Sequence, residues 1–110
     1  MPRDIIPAEI IDPAAIAYQA FSAANEAAEF ALVSRGNMGV AEIRAKHPAF
    51  AEEKKAADDV FAAKATSVAG VVAKLRALHE YAWLETHEAD EIIVDIADEL
   101  EAIERRRSLV

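Results

Sequence analysis

The stretch ETHEADEIIVDIADELEAIERRR, residues 85–107, decides the fold class. Large apolar residues recur in it at Ile92, Ile93, Ile96, Leu100 and Ile103, the spacing of an amphipathic α-helix. Nine acids and no lysine or arginine lie between Glu85 and Glu104, and Arg105, Arg106 and Arg107 follow. Acids at the start and cations at the end complement the helix macrodipole. The pattern predicts a helix that begins between Thr86 and Ala89 and ends near Arg106, with one apolar and one strongly negative face.

Working back from it, Thr66-Ser67 is a boundary, since either hydroxyl can cap a helix N-terminus. A third helix is predicted from Val68 to about Trp83, with Val68, Val71, Val72, Leu75, Leu78, His79 and Ala82 as its inward stripe. Gly70 in its first turn permits a close approach. A second helix is predicted from Pro48 to about Ala65, with Phe50, Lys54, Ala57, Phe61 and Val60 inward and Glu52, Glu53, Lys55, Asp58 and Asp59 outward. Val40 to Lys46 is read as a helical turn or two. Gly36-Asn37-Met38-Gly39 is the clearest loop. The first helix runs from Pro13 to about Ser34, capped by Asp12, with Ala14, Ala17, Tyr18, Phe21, Ala24, Ala28 and Leu32 on its apolar face. Residues 1–12 carry Pro2 and Pro7, which favour an extended arm. The isoleucines Ile5, Ile6, Ile10 and Ile11 on that arm need cover from the body or from a neighbouring subunit.

The reading is all-α: a small antiparallel bundle of about four helices (13–107), a proline-containing N-terminal arm (1–12) and a short tail (108–110). The last two predicted helices are expected to form an αα-hairpin. No strand pattern and no internal repeat is visible. At 110 residues the chain has the size of one domain, and alanine supplies much of its 54% hydrophobic content. Alanine favours helix and adds little buried area, so the core is modest.

Composition excludes several functions. A net charge of −8 opposes direct binding to nucleic acid or to anionic membranes. There is no cysteine, hence no disulfide, no thiolate nucleophile and no Cys-type zinc site. The N-terminus lacks the apolar core of a signal peptide, and no stretch reaches the roughly 18 apolar residues of a membrane span, so a cytoplasmic protein is expected.

Candidate chemistry is sparse. The Glu-x-x-His pairs of di-iron bundles are absent, because Arg44, Arg76 and Leu84 stand three residues before His47, His79 and His87. A metal site from His79, His87 and Glu85 or Glu88 is the one arrangement left, against the simpler reading of structural histidines. Glu88, Glu91, Asp95, Asp98 and Glu99 fall on one side of the last helix, a solvated face or a docking face for a basic partner. Trp83 is either core or an interface anchor. The serines sit in no nucleophile elbow. Arg105–Arg107 read as dipole complement and solvated tail, and Ser108-Leu109-Val110 only loosely fits a PDZ ligand.

The run Thr66-Ser67-Val68-Ala69-Gly70-Val71-Val72-Ala73-Lys74-Leu75-Arg76 follows an Ala- and Glu-rich long helix and a second helix. This layout, over residues 13–104, resembles small all-helical bacterial proteins of unknown function. The resemblance implies a helical fold and a mobile-element or accessory origin, and no activity, ligand or catalytic residue. The expected function is therefore non-enzymatic, with no cofactor, no nucleic acid and no membrane. It acts through protein–protein contact as a homo-oligomer, a dimer being favoured, with Ile5, Ile6, Ile10, Ile11 and Trp83 as interface anchors. The alternatives are an acidic regulator or inhibitor docking a basic protein, and an enzymatic or metal-binding bundle.

Overall fold

The computed structural model describes residues 12–108, so the isoleucine-bearing arm before Asp12 and the end of the tail at Leu109 and Val110 lie outside the described residues. Among the described residues five helices follow in order: α1 (Pro13–Val33), α2 (Val40–Lys46), α3 (Pro48–Ala62), α4 (Val68–Glu80) and α5 (Thr86–Ser108). No strand occurs among the described residues. The expectation of about four helices is corrected to five among the described residues: Val40–Lys46 is a helix of 7 residues in its own right. Such a short helix gains little from its own hydrogen bonds. Tertiary contact holds it, as Ile43 is buried with Ala49 and Phe50.

Local chemistry sets most boundaries. Asp12 Oδ1 accepts from the Ala14 and Ala15 amides at 2.9 and 3.4 Å, and Pro13 follows as the first helical residue. Beyond the end of α1, Gly36 takes φ 65°, a conformation costly for residues with a Cβ. His47 closes α2 and caps α3, its Nδ1 accepting from the Ala49 amide at 3.1 Å. Ser67 Oγ accepts from the Gly70 amide at 3.4 Å at the start of α4. Two helices end sooner than their composition suggests. α3 stops at Ala62, since Ala63 turns extended (ψ 139°), and α4 stops at Glu80, since Tyr81 does the same (ψ 110°). In both cases the departing chain is drawn into the core: Ala65 and Tyr81 are buried.

Contacts fix the helix directions. Phe21 meets Ala57 and Val60, and Ala28 meets Ala49 and Phe50, so α1 and α3 run antiparallel. Asp12 reaches Ser67 and Tyr18 reaches Glu80, so α1 and α4 run parallel, beginning side by side. Lys74 meets Glu99 and Arg106 meets Thr66, so α4 and α5 form the expected antiparallel hairpin. α1 packs chiefly on α3 and α4, whereas α5 packs on α4. The layout is shallow, with Cα extents of 58 × 39 × 15 Å.

The core is assembled from small side chains in three clusters, centred on Val71 with Ile96 and Ile103, on Phe21 with Val60 and Tyr81, and on Phe50 with Ile43. Phe21 is fully buried and meets Tyr81 edge-on, ring centroids 6.2 Å apart. The inward stripe expected for α4 is corrected. Val68, Val72, Leu75 and His79 are exposed, and Gly70, Val71, Ala73, Lys74 and Ala77 are buried instead. The helix is turned so that its small residues meet α1 and α3, which lets the backbones approach. On α3, Lys54 is exposed and Glu53 is buried, the reverse of the expected placement.

Candidate functional site

Three buried polar contacts, one at each main helix junction, set the register of the elements. At the head of α1 and α4, the Asp12 carboxylate is wholly buried. Besides capping α1, its Oδ2 accepts from the Thr66 amide at 2.9 Å, the Thr66 hydroxyl at 3.3 Å and the Ser67 hydroxyl at 2.7 Å. Burial alone would push this carboxyl up, but the Ser67 hydroxyl and the Thr66, Ala15 and Ala14 amides together hold it below the ordinary aspartate value. Gly70 leaves room for it, since a Cβ there would run into the Asp12 carboxylate.

Between α1 and α3, Glu53 Oε2 accepts from Asn25 Nδ2 at 2.7 Å, and Glu53 Oε1 is buried with no partner. Burial pushes this carboxyl up, and the Asn25 amide and the Trp83 indole only partly offset the shift. Between α4 and α5, Lys74 Nζ donates to both oxygens of Glu99 at 3.0 and 2.9 Å, with the lysine side chain 2% exposed. Neither contact is legible as pattern: Glu53 sits in a run of charges and Lys74 in an apolar stretch.

The sequence-derived acidic face divides. Glu88, Glu91, Asp95 and Asp98 are exposed and take part in no ion pair among the described residues, while Glu99 is turned inward to Lys74. Glu88, Glu91 and Asp95 line a shallow cleft with Asp58 and Phe61 at the end of α3. Trp83 is half-buried; its ring meets Phe50 edge-on and carries the Arg44 guanidinium 3.7 Å above its centroid, a cation–π contact. His79 and His87 are exposed, and His87 lies 3.6 Å from Glu85. No group of three or more His, Asp or Glu residues is placed to hold a metal ion among the described residues. Of the terminal arginines, Arg106 donates to the Thr66 carbonyl at 2.9 Å and Arg107 pairs with Glu104 at 2.7 Å. No helix among the described residues is long and apolar enough to cross a membrane.

The α5 apolar residues also divide. Ile96 and Ile103 are buried against α4 and Ile92 is half-buried beside them, whereas Ile93 and Leu100 are 49% and 40% exposed. On α4, Val68 and Leu75 are 52% and 47% exposed. Val71 and Lys74 point α4 toward α5, and Ile96 and Glu99 point α5 toward α4. At about 100° per residue, Val68, Leu75, Ile93 and Leu100 then fall on the same side of the hairpin. The acids Glu88, Glu91 and Asp95 fall on the other side, with the end of α3. A groove lined by Ala97, Leu100, Glu101, Glu104 and Arg105 continues the apolar side along α5.

Compared with known proteins, the chain matches no family model, no curated protein and no solved structure.

Proposed function

We propose that the protein is a non-enzymatic protein–protein contact module that pairs with a second copy of itself through the outer side of the α4–α5 hairpin. One observation carries this reading: Val68, Leu75, Ile93 and Leu100 are exposed together on a side of the hairpin that no other helix among the described residues covers. Contiguous apolar surface of this kind marks contact sites in proteins. A two-fold pairing of identical hairpins would remove the same four residues from water on each copy.

Light scattering coupled to size exclusion tests it. The expected result is the mass of two chains at micromolar concentration, insensitive to salt, and the mass of one chain for the double variant Ile93→Ser, Leu100→Ser. A native chain that runs as a monomer throughout refutes the pairing.

A second reading uses the opposite side of α5. Glu88, Glu91, Asp95 and Asp98, exposed and in no ion pair among the described residues, form a docking face for a basic protein. Such a partner is captured at low salt and released near 1 M salt, where the Debye length falls to about 3 Å. A partner held equally well at both salt concentrations contradicts the electrostatic docking. The two surfaces lie on different sides of one helix, so Asp95→Asn with Asp98→Asn weakens only the second contact.

A further inference from the structure

We infer that the second copy in the pairing proposed above lies antiparallel, α5 against α5, about a two-fold axis that crosses the hairpin between Leu75 and Leu100. This deepens that pairing and rests on it. The register of the hairpin carries the argument. Lys74 lies beside Glu99 and Arg106 reaches Thr66, so Leu100 stands about level with Ala73 and Ile93 about level with Glu80. Along the hairpin the exposed residues therefore follow in the order Val68, Leu100, Leu75, Ile93. At about 100° per residue all four point outward and slightly toward the seam between α4 and α5, so they form one row. The row is about 18 Å long at a rise of about 1.5 Å per residue. Val68 and Ile93 lie equally far from its centre, and Leu75 and Leu100 flank the centre. A two-fold axis through that point, perpendicular to the helices, reverses the row. It brings Val68 of one copy level with Ile93 of the other, and Leu75 level with Leu100. Each exposed aliphatic side chain thus meets another.

Charge selects the same direction. The outer side of α5 is acidic at its start, at Asp90, and basic at its end, at Arg107, and both residues are exposed. The axis that reverses the apolar row brings Arg107 of each copy beside Asp90 of the other. Among the described residues Arg107 is bonded to Glu104 through Nη1 alone, so further donors of its guanidinium remain for a second carboxylate. A parallel pairing would set Asp90 against Asp90 and Arg107 against Arg107, and like charges face to face suppress that arrangement. Ala97, exposed close to the axis, lets the two α5 helices approach. Charges at the rim set orientation more than affinity, which leaves the pairing itself resting on the aliphatic row.

Single cysteines read the direction, since the chain has none of its own. Full-length Val68→Cys and Ile93→Cys chains are mixed, allowed to exchange and mildly oxidised. The expected product is a mixed disulfide of one chain of each kind. Either variant oxidised alone gives little covalent dimer, because like positions lie about 18 Å apart in this arrangement, too far for a disulfide. Self-linking of either variant as fast as mixed linking overturns the antiparallel assignment. So does the absence of a mixed disulfide in a mixture that light scattering shows to be dimeric. Charge gives the second readout. Arg107→Glu is expected to weaken pairing about fivefold at low salt, and the swapped chain Arg107→Glu, Asp90→Arg to recover it. A swapped chain as weak as Arg107→Glu alone overturns the register. A monomeric native chain removes the pairing and its direction together, whereas a dimer with the wrong cross-link removes the direction alone.

Discussion

The α1–α3 pair and the α4–α5 hairpin solve the same packing problem in opposite ways. Between α1 and α3 the contact is made of Phe21, Ala28, Ala57, Val60 and Phe50, all buried, and one neutral amide meets the one buried acid. In the hairpin the contact is narrower: Ile96, Ile103 and Val71 are buried around the Lys74–Glu99 ion pair. Branched aliphatic residues of the same helices remain in water. α1 has neighbours along more than one side and buries Phe21, Ala28 and Ala31 between them, while Ile16 and, at its C-terminal end, Phe30 and Val33 stay exposed. α5 rests on one helix, and an apolar arc wider than one contact leaves an exposed remainder. The first region holds the larger part of the core, and the second leaves aliphatic residues of both its helices exposed on one side.

The largest effect belongs to the first region. Phe21→Ala removes the most buried large side chain and is expected to cost about 4 kcal/mol, since the neighbours Val60, Tyr18 and Tyr81 are held by their own helices and relax only partly into the void. Urea unfolding followed by circular dichroism reads this as a lower midpoint. A loss below about 1 kcal/mol would mean that the helices close over the gap and that the pair is less rigidly packed than its burial implies.

In the hairpin the sensitive point is electrostatic. Lys74→Met strands the Glu99 carboxylate at the helix interface and is expected to cost about 3 kcal/mol. Adding Glu99→Leu should recover most of that, because an apolar pair of similar size replaces a desolvated ion pair at little net cost. If the double variant is as unstable as the single one, the ion pair is specifying hairpin register and not merely filling space.

The next effect is smaller and depends on pH. Glu53 has a carboxyl raised in the folded chain, so the native state keeps a proton that the unfolded chain has already lost. More protons on the native state means that stability falls as pH rises. The contribution is full below the unfolded glutamate value and is lost as pH passes through the raised folded value. Glu53→Gln keeps an acceptor for Asn25 and has nothing to ionise, so it should be more stable than the native chain at pH 8 and show no advantage at pH 4. Asp12 has the opposite sign: its lowered carboxyl supports the fold above the unfolded aspartate value and is lost as pH falls through the folded one. Thermal melts across pH separate the two. Absence of the alkaline gain in the Glu53→Gln variant would show that Glu53 is ionised in the native fold without penalty.

The smallest expected effect on stability sharpens the contrast most. Ile93→Ser and Leu100→Ser, singly, should change monomer stability by no more than about 0.5 kcal/mol, as exposed substitutions do. The equivalent change at Ile96 should cost several times more. Equal costs at Ile93 and Ile96, measured by urea unfolding, would mean that both sides of α5 are covered in solution.

Much of the architecture was legible because it is written in local chemistry. Asp12-Pro13, His47-Pro48 and Ser67 mark helix starts through hydrogen bonds that span two or three residues, Gly36 marks the turn after α1 through its positive φ, and the hairpin follows from a short link between two apolar periods. What the chain did not disclose is which way each helix turns. The bulky stripe Val68, Val72, Leu75 looked inward by size, yet α4 buries Gly70, Ala73 and Ala77, because the depth available beside α1 and α3 admits only small side chains. Glu53 and Lys74 were illegible for the same reason: a charged residue reads as solvated until a partner from another helix is in place to receive it. For the candidate surfaces, the sequence showed that α5 carries both apolar and acidic residues. Only the packing showed which isoleucines are spent on α4, and that Glu99 leaves the acidic row.

By itself the sequence determined helical class, the caps and the amphipathic last helix, since propensity, capping and periodicity act within a few residues. Tertiary structure alone decided rotation, burial of the three charged side chains Asp12, Glu53 and Lys74, and the exposed side of the hairpin. Those depend on the distance between helix axes, which is set by pairs of side chains far apart in the chain.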